Sequence, residues 1–195
     1  MTIDNILQWF SSLLTLQNIA QVISLFAMAF TCISFMQRKK STVLVLQLIG
    51  GSLFSIQYFM LGAITGGLLN ILSVIRAIVF LNNDKLKANH PAWSIGFTVC
   101  YFISYASVFL VFGKEPTFAN LFFEILPVIA MVLSLISFRY SDAKYIRRYG
   151  LGCSPLWLTY NIANFSIGAI ICEVLNLFSI LIGILRHDVK WKGKK

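Results

Sequence analysis

The sequence predicts an all-α membrane protein whose seven transmembrane helices follow a plan of three helices, one linking helix and three more helices. Three observations indicate this fold class: an apolar composition, seven apolar segments of near membrane-spanning length, and basic residues confined to alternate loops. Of the 195 residues, 58% are hydrophobic and 12% are charged, and the mean hydropathy is +0.80. A soluble domain is about 45–50% apolar and about 25% charged. The composition therefore excludes a soluble domain and requires a bilayer as the solvent.

The predicted spans follow from length, because about 20 apolar residues with a rise of about 1.5 Å each cross about 30 Å of hydrocarbon. The segments that approach this length are residues 19–37, 42–61, 64–81, 92–112, 117–138, 149–163 and 166–186. The sixth contains Pro155 and Asn161, but a membrane tolerates a proline-interrupted helix where neighbouring helices cover the freed backbone groups. Residues 1–18 carry apolar side chains at near-helical spacing, which predicts an interfacial or packed helix before the first span.

The basic residues predict the orientation of the chain. Of the 16 Lys and Arg residues, only Arg76 lies in the interior of a span, Arg186 stands at the cytoplasmic end of the last span, and only Lys114 lies in a loop of the side opposite to the others. Cytoplasmic loops of membrane proteins carry the excess of Lys and Arg. The N-terminus is therefore predicted outside and the C-terminus in the cytoplasm. The basic residues assigned to the cytoplasm are Arg38, Lys39, Lys40, Lys85, Lys87, Arg139, Lys144, Arg147, Arg148, Arg186, Lys190, Lys192, Lys194 and Lys195.

An internal repeat relates the first three spans to the last three. Both triplets have a basic loop after the first span, an uncharged loop after the second and a basic stretch after the third. Residues identical at offsets of 102 to 106 are Ile33/Ile136, Ser34/Ser137, Phe35/Phe138, Tyr58/Tyr160 and Asn70/Asn176. Such a parallel repeat is related by an axis along the membrane normal. The predicted units are a first bundle at 19–81, a linker and fourth helix at 82–112, a second bundle at 113–188 and a basic cytoplasmic tail at 189–195.

Three short stretches, residues 70–76, 123–129 and 166–173, resemble the YgjV-type bacterial inner-membrane proteins, and this similarity extends from about residue 18 to 188. The helix plan also resembles the SWEET sugar transporters and the wider PQ-loop (MtN3-like) superfamily. That resemblance implies a solute held between the triplets by Asn70 and Asn176. It also implies hinge prolines, which Pro127 and Pro155 supply in the second triplet, whereas the first triplet has none.

The ionisable residues inside spans are candidate functional residues, because a charge at the bilayer centre costs at least about 2.5–3.5 kcal/mol. Glu173 precedes Asn176 by three residues, so both lie on one helix face and form the first choice for solute contact, with helix packing as the alternative. Glu124 precedes the predicted hinge Pro127 by one turn and has a packing or a gating role. Arg76 lies about one and a half turns from the cytoplasmic helix end, which favours a structural role with its side chain extended to the headgroups.

Further polar and aromatic side chains are candidates for lining a solute site. Tyr58, Tyr160, Asn161 and Trp157 have rings or amides that could contact a sugar or base ring, and packing or interface anchoring is the alternative. Asn70 and Asn176 suit a neutral polyol, riboside or amide because a carboxamide both donates and accepts hydrogen bonds. Asparagines also join transmembrane helices to one another.

The sequence predicts no enzyme, no cofactor and no metal site, because no span contains a nucleophile–base set, a metal-ligand cluster or a phosphate-binding loop. The leading hypothesis is an inner-membrane transporter for a small polar solute, such as a sugar, a riboside or a vitamin-like molecule. It would act as a uniporter or couple to protons through Glu173. The alternative is a non-transporting membrane protein that binds a protein partner or lipid through its basic cytoplasmic face. Nucleic-acid binding is not expected, and the sequence leaves a monomer and a homo-oligomer both open.

Overall fold

The computed structural model describes residues 15–188, and within that range the chain forms eight helices and no strand. The helices are α1 (Leu16–Phe35), α2 (Lys40–Met60), α3 (Ile64–Leu81), α4 (Asn83–Leu86), α5 (Pro91–Leu110), α6 (Phe118–Phe138), α7 (Ala143–Ala163) and α8 (Ile167–His187). Most of the predicted N-terminal helix and all of the basic tail at 189–195 lie outside the described residues.

Each of the seven predicted spans corresponds to one long helix. Six of these helices, α1, α2, α3, α5, α6 and α8, are long and apolar enough to cross a membrane. The seventh, α7, has the required length with 21 residues. It begins six residues before the predicted segment and thereby includes Lys144, Arg147 and Arg148, which lower its hydropathy.

Local sequence signals set several helix ends. Thr15 and Thr117 precede α1 and α6, and each side-chain oxygen accepts a hydrogen bond from the backbone N–H three residues later, at 3.3 Å in both cases. This is the usual N-cap arrangement. Pro91 occupies the first position of α5, where a missing N–H costs nothing. Gly62, with φ of +74°, makes the turn between α2 and α3, a conformation that residues with a Cβ rarely adopt.

The long helices pack as two sets of three. In the first set α2 lies between α1 and α3, and in the second set α7 lies between α6 and α8. The two sets meet where α1 packs on α8 and where α3 packs on α6. The connecting helix α5 packs against α3 and α6. The largest buried side chains lie in and around this meeting region, among them Leu44, Leu69, Tyr101, Leu135, Phe138, Tyr160 and Ile180.

Apolar side chains also cover the outside of the helices. Exposed large apolar residues occur on every long helix, for example Phe26, Ile56, Ile75, Ile95, Phe122, Ile162 and Phe178. A soluble protein seldom exposes such a continuous apolar surface. The outward faces are therefore suited to contact with lipid.

Candidate functional site

A polar cavity of about 120 Å³ lies between the two helix sets. One water needs about 10–15 Å³ of such space, so the cavity has room for several waters or one small polar molecule. Every long helix except α5 contributes to its wall. The lining residues are Thr31, Phe35, Gln47, Gly51, Phe54, Tyr58, Asn70, Ser73, Arg76, Met131, Ser134, Ser137, Ile146, Gly150, Cys153, Ser154, Trp157, Glu173 and Asn176.

The structure brings six of the sequence-predicted site residues to this cavity and leaves five outside its lining. Those that line it are Tyr58, Asn70, Arg76, Trp157, Glu173 and Asn176. Those that do not are Glu124, Pro127, Pro155, Tyr160 and Asn161. The first group comes from both helix sets, so the cavity is a shared site rather than a pocket within one bundle.

Asn176 and Glu173 form a polar group on the α8 side of the cavity. The Asn176 amide oxygen accepts a hydrogen bond from the Cys32 thiol at 3.3 Å, and its amide nitrogen lies 3.5 Å from the Cys172 sulfur. The Glu173 carboxylate lies beside the side chains of Ser154 and Asn176. Because Cys32 belongs to α1, this group joins the first helix set to the second.

Asn70 lines the cavity from α3. Its amide nitrogen donates to the backbone carbonyl of Gly66, one turn earlier, at 2.8 Å. The side chain is only partly buried and borders the cavity. The two predicted asparagines thus face one cavity from α3 and α8.

Arg76 lies in the cavity wall, 2% exposed, and does not extend toward the headgroups as the sequence led us to expect. Its guanidinium donates to the Tyr101 hydroxyl at 3.3 Å, to the Met131 carbonyl at 3.2 Å and to the Ser73 hydroxyl at 3.2 Å. It also lies over the Phe138 ring, 4.4 Å from the centroid. These partners on α5 and α6 hold the side chain inside the protein, because α3 turns this face toward them.

Tyrosine hydrogen bonds join the two helix sets at the end with the uncharged loops 61–63 and 164–166. The Tyr58 hydroxyl donates to the Asn161 side-chain oxygen at 2.8 Å, and the Tyr160 hydroxyl accepts from the Gly66 backbone N–H at 3.1 Å. The two tyrosine rings meet edge to face with centroids 6.3 Å apart. Tyr160 and Asn161 therefore close this end of the cavity rather than line it.

Basic side chains join the two sets at the opposite end, which carries loops 36–39 and 139–142. Lys40 donates to the backbone carbonyls of Phe138 and Tyr140 at 2.5 and 2.7 Å. Arg147 crosses in the other direction and donates to the Gln37 carbonyl at 2.8 Å. Arg147 also forms a two-point ion pair with Asp188, and both side chains are nearly buried. The cavity thus lies between two regions of cross-set contacts.

Comparison with known protein families connects this architecture to one of them. Residues 18–190 match the family Imp-YgjV, described as bacterial inner membrane protein. The chain belongs to this family. No curated protein and no solved structure matches the chain. Together with the apolar helices, the family shows that this Imp-YgjV protein is a multi-pass protein of the bacterial inner membrane.

The sequence alone did not single out several residues of the Imp-YgjV cavity and its ends. Ser73 follows Asn70 by three residues and so shares its helix face, a spacing that could have indicated it. Ser134 and Ser154 give no comparable signal, because serine is common in apolar helices, and Ser137 is marked only as a repeat match to Ser34. Lys40 and Arg147, which reach across between the sets, give only an orientation signal in the sequence. A basic loop does not reveal which backbone carbonyl its side chain reaches.

The predicted gating residues are not part of the cavity lining. Glu124 is 2% exposed and forms an ion pair with Lys114, which precedes α6. Pro127 and Pro155 lie inside α6 and α7, and both helices continue through them. A gating role for Glu124, Pro127 or Pro155 stays a prediction.

Replacing Lys114 with methionine is expected to destabilise the protein by about 1–2 kcal/mol, because the buried Glu124 carboxylate loses its cation. The effect is moderated because the Lys114 side chain is 33% exposed. Adding Glu124→Gln should recover part of the loss by removing the unpaired charge. Thermal unfolding in detergent measures the stability of the single and the double variant. A double variant less stable than Lys114→Met would contradict the assigned role of the ion pair.

Proposed function

We propose that this Imp-YgjV protein is a transporter that moves a small polar solute, such as a sugar, a riboside or a vitamin-like molecule, through the cavity between its two helix sets. The observation that carries the proposal is a polar cavity shared by both sets and bounded at each end by contacts between them. A scaffold that only binds a partner at its surface has no need of such a cavity. Transporters, in contrast, bind solute at an interface between repeats.

We also propose that α7 is a seventh span, with the N-terminus outside and the C-terminus in the cytoplasm. Its 21 residues reach about 30 Å at the helical rise, and it packs between two helices that are long and apolar enough to span. Its basic residues lie in its first two turns, at the end shared with the other basic loops. Arg147 is neutralised by Asp188, which reduces the cost of placing it near the hydrocarbon.

The cross-set contacts support the parallel repeat of residues 19–81 and 113–188. Lys40 reaches the Tyr140 carbonyl, Arg147 reaches the Gln37 carbonyl, and positions 37 and 140 are related by the repeat offset of 103. At the other end Tyr58 and Tyr160, also repeat-related, each bond to the opposite set. A two-fold axis between the sets accounts for the reciprocal contacts at both ends.

Alternating access would then follow from rocking of one set against the other. Opening the outer end requires loss of the two tyrosine hydrogen bonds, whereas opening the cytoplasmic end requires loss of the Lys40 and Arg147 contacts. The carrier would work as a uniporter or couple to protons, with Glu173 as the candidate proton acceptor because its carboxylate lines the cavity.

Filling the cavity tests the proposal. Gly51 lines it, and a Cβ there meets no atom closer than 3.5 Å, so Gly51→Leu is expected to place its side chain in the solute space beside Asn70 and Val74 of α3. Uptake of labelled sugars, ribosides, vitamins and amino acids into proteoliposomes should fall at least about tenfold, a change of about 1.4 kcal/mol.

Gly96→Leu is the matched control, since Gly96 is exposed on α5 and a Cβ there meets nothing within 4 Å. This variant should transport as the wild type does. If no wild-type uptake is seen for any solute class, the proposal fails. A protein-partner or lipid-binding role through the basic face then becomes the better explanation.

A further inference from the structure

We infer that the transported solute is a zwitterion, with its carboxylate bound at Arg76 and its cationic nitrogen facing Glu173. The inference rests on the proposed function and narrows its solute class, from polar molecules in general to those that carry one negative and one positive group. Neutral sugars and ribosides are then poor ligands.

Arg76 supplies a buried cation that has no counter-ion in the described part of the chain. It belongs to no ion pair among residues 15–188, and its three hydrogen-bond partners and the Phe138 ring are all neutral. A buried charge of this kind is costly unless an opposite charge accompanies it. The cavity that Arg76 borders is the space in which such a charge can bind.

The free hydrogen-bond donors of Arg76 match a carboxylate. An arginine has five N–H groups. Here Nη1 donates to Tyr101 and Met131, Nη2 donates once to Ser73, and the buried Nε has no hydrogen-bond partner within residues 15–188. The remaining N–H groups are on Nε and Nη2, the two nitrogens of one edge of the guanidinium. In arginine this edge is suited to bind a carboxylate by two parallel hydrogen bonds, and here the buried Nε must turn toward the cavity for both bonds to form.

Glu173 supplies the opposite charge from the other helix set. It lines the same cavity from α8, and the polar side chains beside it, Ser154 and Asn176, are neutral. It too belongs to no ion pair in the described part of the chain. The cavity therefore has one positive and one negative group, held by different helix sets and not joined to each other.

This separation of charge discriminates between solute classes. A simple anion would neutralise Arg76 and leave Glu173 unpaired, a simple cation would do the reverse, and a neutral polyol would leave both without a counter-ion. A zwitterion alone matches both groups. Leaving a buried charge unpaired is one means by which a site rejects the wrong ligand. Binding to both groups would also draw the two helix sets together around the solute.

Isosteric ligands provide the test, with thermal unfolding of the protein in lipid nanodiscs as the readout. Glycine betaine is compared with 3,3-dimethylbutanoate, which lacks the positive charge, and with choline, which lacks the carboxylate. Alanine is compared in the same way with isobutyrate and 2-aminopropanol. We expect betaine or alanine to bind at least about tenfold more tightly than either of its isosteres, and ribose and sorbitol to give no shift.

Charge-neutralising variants should change the selectivity in opposite directions. Glu173→Gln leaves a cavity with a net positive charge, so 3,3-dimethylbutanoate or isobutyrate should gain affinity relative to the zwitterion. Arg76→Gln should lose the zwitterion and favour choline or 2-aminopropanol. If Arg76→Gln does not fold, Arg76→Lys keeps the charge without the two-point edge and should weaken zwitterion binding. The comparison of isosteric ligands on the wild-type protein does not depend on whether any variant folds.

The outcomes separate this inference from the proposed function. Binding and proteoliposome uptake of neutral solutes, unchanged in Arg76→Gln, would overturn the zwitterion assignment and leave transport standing. Zwitterion binding without uptake would support the site and overturn transport. No shift and no uptake with any solute would overturn both.

Discussion

Replacing Arg147 with methionine is expected to destabilise the folded protein by about 3–5 kcal/mol, the usual cost of removing one partner from a buried ion pair. The Arg147 and Asp188 side chains are 3% and 6% exposed, so water cannot replace the lost cation. The substitution also removes the hydrogen bond from Arg147 to the Gln37 carbonyl, which joins the two helix sets. Equilibrium unfolding in mixed detergent micelles measures the loss.

Two further variants identify the cause of this loss. Adding Asp188→Asn removes the unpaired carboxylate and should restore part of the stability. Lys144→Met is the matched control on the same helix, because the pair of Lys144 with Asp142 is exposed, at 39% and 60% for the two side chains. Exposed pairs contribute at most about 1 kcal/mol. Equal destabilisation by Arg147→Met and Lys144→Met would contradict the assignment of a buried pair.

The same arginine shows where hydropathy stops predicting the fold. Long apolar runs predicted the long helices, because each run must satisfy its backbone groups internally in lipid. The predicted sixth segment began at residue 149, whereas α7 begins at Ala143. The missed turns contain Arg147, whose charge is compensated by Asp188 from the far end of the chain. No local window contains both residues, so composition assigned this part to a loop.

The candidate site was predictable in part for a related reason. Spacing along one helix placed Glu173 and Asn176 on one face, and both line the cavity. Which residues of a helix reach the cavity, however, also depends on the contacts that the helix makes with its neighbours. Tyr160 and Asn161 instead bond to groups of the first helix set, and Arg76 turns toward Tyr101 and Met131. The position of a residue along its own helix does not identify its partners on other helices.

Replacing Gly183 with leucine is expected to cost about 3 kcal/mol, at the upper end of overpacking penalties, because the two helix sets meet here at backbone distance. A Cβ at position 183 would overlap the backbone carbonyl of Phe35 and lie 2.8 Å from the Arg147 Cδ. Small residues at membrane helix interfaces permit such close approach. Thermal unfolding in detergent measures the loss, with the exposed Gly96→Leu variant as the control.

Gly168 offers a second test of the α1–α8 interface, in which a compensating substitution on α1 is available. A Cβ there would overlap the Ser24 hydroxyl, a side-chain atom, whereas Gly183 faces the Phe35 backbone. Gly168→Ala should therefore be partly rescued by Ser24→Gly, while no side-chain truncation on α1 should rescue Gly183→Leu. If Gly183→Leu proved as stable as Gly96→Leu, α1 and α8 could not approach as closely as described. The α1–α8 contact is one of the main contacts between the sets, so a wider spacing of these two helices would weaken the boundary of the proposed solute cavity.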